Sequence, residues 1–198
     1  MKKIVIIGSG FSSLSAACYL AKKGNQVQVL EKNDSLGGRA RQFKKDGFTF
    51  DMGPSWYWMP DVFESFFNDF GKQVSDYYKL DRLSPGYQVV FGKDDVFPVE
   101  DSIAKIAARF EEIEAGSGAK LTRFLEKARN NYDIAVKDLV YRPGVSPLEL
   151  VTPQTVKKVG LFFTNIRSQV EKQFTNPKLR SLLQFPVLFL GAKPESTP

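Results

Sequence analysis

The first ten residues constrain this chain most. Lys2-Lys3 leads into Ile4-Val5-Ile6-Ile7, an apolar strand pattern that runs directly into Gly8-Ser9-Gly10. Phe11 to Lys23 then has the spacing of a helix. Strand, glycine turn and helix in that order make a phosphate cradle. Gly8 permits the tight turn, Gly10 lets the backbone approach a pyrophosphate, and the helix N-terminus supplies unbonded N–H groups and a partial positive charge. Ser12 and Ser13 lie in that first turn, and Ser13 stands where a third glycine is usual. Serine is small enough to keep the helix against its strand.

Two further features extend the cradle. Val27-Gln28-Val29-Leu30 reads as a second strand, and Glu31 stands at its C-terminal end, 21 residues after Gly10. A carboxylate there accepts hydrogen bonds from a ribose diol and repels a 2′-phosphate. Next comes Leu36-Gly37-Gly38-Arg39-Ala40, in which paired glycines expose backbone N–H groups and Arg39 adds a fixed cation for a phosphate. Phe43 to Phe50 reads as a hairpin turning at Lys45-Asp46-Gly47, and it leads into Asp51-Met52-Gly53-Pro54-Ser55-Trp56.

Strand, G-x-G, strand, Glu, then Gly-Gly-Arg resembles the FAD-binding N-terminus of the flavin amine-oxidase-like superfamily. Gly47-Phe-x-Phe-Asp-x-Gly-Pro54 after Gly37-Gly38-Arg39 resembles, more narrowly, the bacterial carotenoid (phytoene) desaturase family. Leu179-Arg180, Phe185 and Gly191-x-x-Pro194 resemble a mid-chain segment of the same enzymes, so the likeness spans the chain and is loose between residues 100 and 175. The resemblance implies an FAD enzyme that desaturates a long apolar polyene such as phytoene, with hydride passing to the flavin. It places Gly8, Gly10, Ser12 and Ser13 on the pyrophosphate, Glu31 on the adenosine ribose, Gly38 and Arg39 at the phosphate or ribityl region, and Gly53, Pro54 and Ser55 beside the flavin ring. Trp56 and Tyr57 either wall the ring or pack the core, and Glu149 is an acidic residue to locate relative to the flavin. No catalytic residue is assigned. Family members are about twice this long, and nothing here resembles their second, C-terminal FAD segment. The chain is therefore expected to be an N-terminal part that alone binds FAD weakly or not at all and does not turn over. Two alternatives stay open: a carotenoid cis-trans isomerase of the same fold, and a non-catalytic nucleotide-binding module.

Composition narrows the chemistry. The 198 residues include no histidine and one cysteine. Ser–His and Cys–His hydrolysis is therefore excluded for this chain, and no metal site is expected. Cys18, beside Ala16 and Ala17 in the first helix, reads as a small buried apolar residue. No intrachain disulfide is possible, which suits a cytoplasmic location. The apolar run after Lys2-Lys3 is too short for a signal peptide, and no stretch approaches the ~20 residues of a spanning helix. The 17 phenylalanines either line an apolar tunnel or form ordinary core.

The net charge of +6 is concentrated late. Gln154 to Phe174 reads as one helix, with Val156, Val159, Phe163, Ile166 and Val170 near one face and cations around the rest. Such a helix either lies peripherally in an anionic membrane surface or covers the protein's own core with a solvated face. Nucleic acid is not expected as a partner, since the cations are not interleaved with stacking aromatics. Oligomeric state is not legible.

The rest divides coarsely. Asp61 to Phe70 is an apolar-faced helix closed by Gly71, and Lys79 to Leu83 reads as a strand. Tyr87–Phe91 and Val96–Val99 bracket a turn. Asp101-Ser102 caps a helix from Ile103 to about Ala115, Gly116-Ser117-Gly118 breaks it, and Lys120 to Val140 is another helix. The expected fold is α/β: an incomplete Rossmann-like FAD-binding core (residues 1–55), a small β substrate region (56–99) and a helical, membrane-facing lid region (100–198).

Overall fold

A computed structural model describes all residues except 54, 55, 138, 147, 148, 150, 158, 159, 161–163 and 198. The chain forms two compact units, Met1–Leu80 and Asp81–Pro198.

In the first unit, β1 (Lys3–Ile7), α1 (Phe11–Lys22) and β2 (Gln26–Leu30) form a β-α-β unit. The strands pair in parallel, from Lys3 opposite Gln26 to Ile7 opposite Leu30. Their side chains alternate, so Ile4, Ile6, Val27 and Val29 are partly covered, while Val5, Ile7 and Leu30 are exposed on the other face. A tight hairpin follows. β3 (Gln42–Lys45) and β4 (Phe48–Asp51) pair antiparallel around Asp46-Gly47, both at positive φ, the turn whose twist matches flanking strands. Then α2 (Pro60–Asp69) starts with proline in its first turn and ends before Gly71.

Aromatic edges hold α2 on α1. Phe11 meets Phe63 at 5.9 Å and Tyr19 meets Phe66 at 5.8 Å, both edge-to-face. The Tyr19 hydroxyl donates to Asp69 Oδ2 at 2.5 Å, and the Lys22 ammonium lies over the Phe70 ring. α1 buries no residue fully, and Cys18 is exposed, contrary to the expectation of a buried thiol. A helix turns about 100° per residue, so Ala17 is partly covered while Cys18, one position on, is open.

The second unit begins with the hairpin β5 (Tyr87–Gly92) and β6 (Asp95–Val99). Helices α3 (Ile103–Ile113), α4 (Ser117–Lys137), α5 (Pro153–Lys157), α6 (Ile166–Glu171) and α7 (Pro177–Gln184) follow, and then a 3-10 run, Phe185–Leu190. Phe97, Phe110, Leu121, Val170, Phe174, Leu179 and Leu182 form its core. Phe110 stands edge-on to both Phe97 and Phe174. The Glu111 carboxylate accepts from the Gly116 and Gly118 N–H groups and so caps α4. Glu114 accepts from the Thr175 and Asn176 N–H groups, 2.9 and 2.8 Å away, and pairs with Lys120 at 3.1 Å.

Three local expectations need correction. Lys79–Leu83 is irregular and joins no sheet among the described residues. The α3–α4 break is shorter than expected: Ser117 already starts α4, and Gly118 lies inside its first turn. Gln154–Phe174 is not one helix. Asn165 is extended (φ −124°, ψ 162°) and its side chain accepts from the Ser168 N–H, which starts α6 afresh. Val156 is exposed and Val170 fully buried, whereas Val159 and Phe163 lie outside the described residues. Among the described residues no helix is long and apolar enough to cross a membrane.

Candidate functional site

The glycine turn, the end of β2 and the Gly37-Gly38 loop converge in the first unit. The Gly8 N–H donates to the Leu30 carbonyl at 2.7 Å, which ties the turn to the end of β2. Gly10 is the N-cap of α1 and is extended. No side chain caps the helix and its first turn holds no acid. The N-terminal N–H groups and the positive end of the helix dipole are thus left for an anion from outside. Ser12 is exposed there and Ser13 half-buried.

Glu31 stands beside this turn. Its Oε2 accepts from the Ser9 N–H at 2.9 Å and from the Ser9 hydroxyl at 2.7 Å. Its Oε1 accepts from the Asn33 N–H at 3.0 Å and the Asn33 side-chain amide at 2.7 Å. The Ser9 hydroxyl, with the Asn33 and Ser9 backbone donors, holds the Glu31 carboxyl well below the usual range, at about 2. The group is a fixed anion at neutral pH, suited to accept from a diol and hostile to a second anion.

The Gly37-Gly38 loop packs on the turn. Gly37 N–H donates to the Ser9 carbonyl at 3.0 Å. A Cβ on Gly38 would lie 3.2 Å from the Gly10 Cα, so the two backbones approach this closely because Gly38 carries no side chain. Gly53 repeats the device. It sits at φ +107°, and a Cβ there would lie 2.6 Å from the Arg39 carbonyl oxygen. Gly38, Arg39, Arg41, Met52 and Gly53 line an open cavity of about 450 Å³. The Arg39 guanidinium is exposed and makes no ion pair or hydrogen bond among the described residues.

Of the residues singled out from the sequence, Gly8, Gly10, Ser12, Ser13, Glu31, Gly38, Arg39 and Gly53 therefore all belong to the first unit. The turn, Glu31 and the Gly38 loop are in direct contact, and Gly53 touches Arg39. Pro54 and Ser55 lie outside the described residues. Tyr57 lies against Phe63, with tilted rings 4.6 Å apart, and its hydroxyl lies 2.6 Å from that of Tyr78, so it packs within the first unit. Glu149 lies in the second unit, where its carboxylate accepts from the Gly144, Val145 and Ser146 N–H groups and orders its own loop. Sequence reasoning passed over Ser9 and Asn33. Each is a small polar residue within two positions of a key glycine or acid, and that proximity was the available signal.

Residues 6–70 match the NAD(P)-binding Rossmann-like domain family. The first unit thus has a Rossmann-like fold. The whole chain is homologous to carotenoid desaturases. It is 43% identical to a carotenoid 3,4-desaturase of Haloarcula japonica, over 98% of this chain and 40% of that protein. It is 36% identical to a 4,4'-diapophytoene desaturase (4,4'-diaponeurosporene-forming) of Staphylococcus haemolyticus, over 98% of this chain and 39% of that one. The chain therefore spans about 40% of the length of these curated relatives. Among solved structures, an oxidoreductase from Methanosarcina mazei matches with a TM-score of 0.53 at 16% identity, covering 100% of this chain and 40% of the other. A putrescine oxidase redesigned in its cofactor binding matches with a TM-score of 0.51 at 18% identity, over 91% and 36%. These two likenesses concern the fold.

Proposed function

We propose that this chain carries the adenosine and pyrophosphate half of the FAD site of a carotenoid desaturase acting in carotenoid biosynthesis. The observation that carries the reading is the convergence of the uncapped Gly8–Gly10 helix start, the ionised Glu31 and the Gly38–Arg39 loop, in a chain 43% identical to a carotenoid desaturase. The residues fit the group. Backbone meets backbone where a Cβ would intrude, and a helix dipole without an internal anion faces outward beside a diol acceptor.

The N–H groups at Gly10 to Ser13 bind the pyrophosphate, and Glu31 fixes the ribose. Arg39 adds a cation near the phosphates, while Gly53 stands towards the ring. The chemistry that FAD supplies when bound is acceptance of a hydride from one carbon of a saturated pair, the neighbouring carbon losing a proton as the double bond forms. The polyene offers no polar handle, so its binding rests on buried apolar area at ~0.8 kcal/mol per CH₂. Such a substrate resides in lipid, which supports peripheral contact with a membrane surface. Lys172 and Lys193 are exposed for such contact, whereas Arg167 pairs with Glu171 and Glu195, and Lys178 pairs with Asp95.

The test is genetic and chemical. Replacing the native gene by its Glu31→Lys variant is expected to make cells accumulate a precursor two hydrogens richer for each missing double bond. A precursor of unchanged mass and altered geometry assigns isomerisation instead. An unchanged carotenoid profile overturns the proposal.

A further inference from the structure

The four donors on Glu31 match the four lone-pair positions that a carboxylate offers. A ribose hydroxyl can bond to it well only by taking one of these positions. The two backbone donors are fixed by the chain, so the choice falls between the two side chains. They differ in one respect that decides the matter. Ser9 is 1% exposed, whereas Asn33 is exposed. A buried hydroxyl that loses its acceptor remains unsatisfied, while an exposed amide exchanges its bond for one to water at little cost. The two side chains also approach different oxygens, Ser9 on Oε2 and Asn33 on Oε1.

We propose that Ser9 is a positioning residue that holds Glu31 in place throughout, and that the Asn33 side-chain amide is a placeholder displaced from Oε1 by a hydroxyl of the cofactor's ribose. This rests on the dinucleotide reading above and adds the order in which the donors give way. Before ligand arrives, Asn33 keeps the carboxylate aimed and its outer oxygen occupied. On binding, the ribose replaces Asn33, while Ser9 keeps the buried side of the carboxylate from turning. A 2′-phosphate cannot make this exchange, because it brings an anion and not a donor to Oε1.

The experiment uses the 198-residue chain with ADP as the probe, titrated by calorimetry and followed by NMR. Ser9→Ala is expected to weaken ADP binding about tenfold. Asn33→Ala is expected to bind ADP at least as tightly as the wild type. The Asn33 side-chain amide resonances should move when ADP is added and stay in place with 2′,3′-dideoxy-ADP. Asn33 is exposed, so its variant keeps the test open even where Ser9→Ala folds poorly. Weakening by Asn33→Ala equal to that by Ser9→Ala overturns the placeholder, and unaltered binding by Ser9→Ala overturns the positioning role. A wild-type chain that binds no ADP removes the dinucleotide reading itself, together with this inference.

Discussion

The two units are built on different physics. Every fully buried apolar side chain among the described residues, from Phe97 to Val187, belongs to the second unit. Among the described residues of the first unit, the buried one is Ser9, a polar side chain bonded to Glu31. The second unit is a small core of interlocked phenylalanine and aliphatic side chains, tied at its edges by Glu111 and Glu114. The first is a pair of parallel strands, a helix and a hairpin joined by backbone contacts at glycine and by aromatic edges. Parallel strands usually bury both faces, yet β1 and β2 are covered on one. An anion site at the start of α1 needs backbone N–H groups left unbonded, and the close approach of Gly38 to Gly10 needs bare backbone.

Substitutions can break this contrast, starting with the largest expected effect. Phe174 is fully buried, and Phe174→Ala is expected to cost about 3–5 kcal/mol in urea unfolding followed by circular dichroism. A cost below about 1 kcal/mol would show that the second unit lacks a close-packed core. Gly53→Ala tests the first unit by geometry instead of burial. The new methyl meets the Arg39 carbonyl at a positive φ, so the variant should lose about 1–3 kcal/mol and bind ADP more weakly. Binding and stability equal to the wild type would contradict the close approach.

Glu114→Gln should cost about 1–2 kcal/mol, since its carboxylate takes two backbone N–H groups and Lys120. The Asn176 N–H is the main reason that its carboxyl falls from 4.5 to about 2. A depressed folded value means that the stabilisation is complete above the ordinary carboxylate range and is lost as the pH falls from about 4.5 towards 2. The variant should flatten that limb of the pH–stability profile, and an unchanged acid limb would count against the clamp. The smallest effect concerns Cys18. Its exposure on α1 predicts stoichiometric reaction with a thiol reagent in the folded chain without loss of helicity. Protection until unfolding would sink that placement.

The first sixty residues were legible because their signals are local. Alternation marks β1 and β2, Gly8 and Gly10 mark the turn, and Asp46-Gly47 demands one hairpin geometry. The identity of Glu31 as a strand-end acid followed from counting along a β-α-β unit. The longer helices were legible as elements but not at their ends. Asn165 looked like one polar position on a continuing helix, because a cap differs from an interior asparagine only in backbone conformation, which neighbours set. Lys79–Leu83 had strand composition, but a strand exists only where another segment supplies the hydrogen bonds. Glu149 looked like a candidate for the site, and its three backbone donors became visible only once its loop was folded.

The sequence by itself determined the β-α-β order, the positions of the glycines and the charge at the end of β2. Each follows from the steric and hydrogen-bonding needs of a few adjacent residues. The tertiary structure alone decided which side chains hold Glu31, that Gly38 rests on Gly10, and that Cys18 is open to solvent. Apart from the local Asn33 bonds, those facts depend on distances between residues far apart in the chain, and burial is a property of what surrounds a side chain and not of the side chain itself.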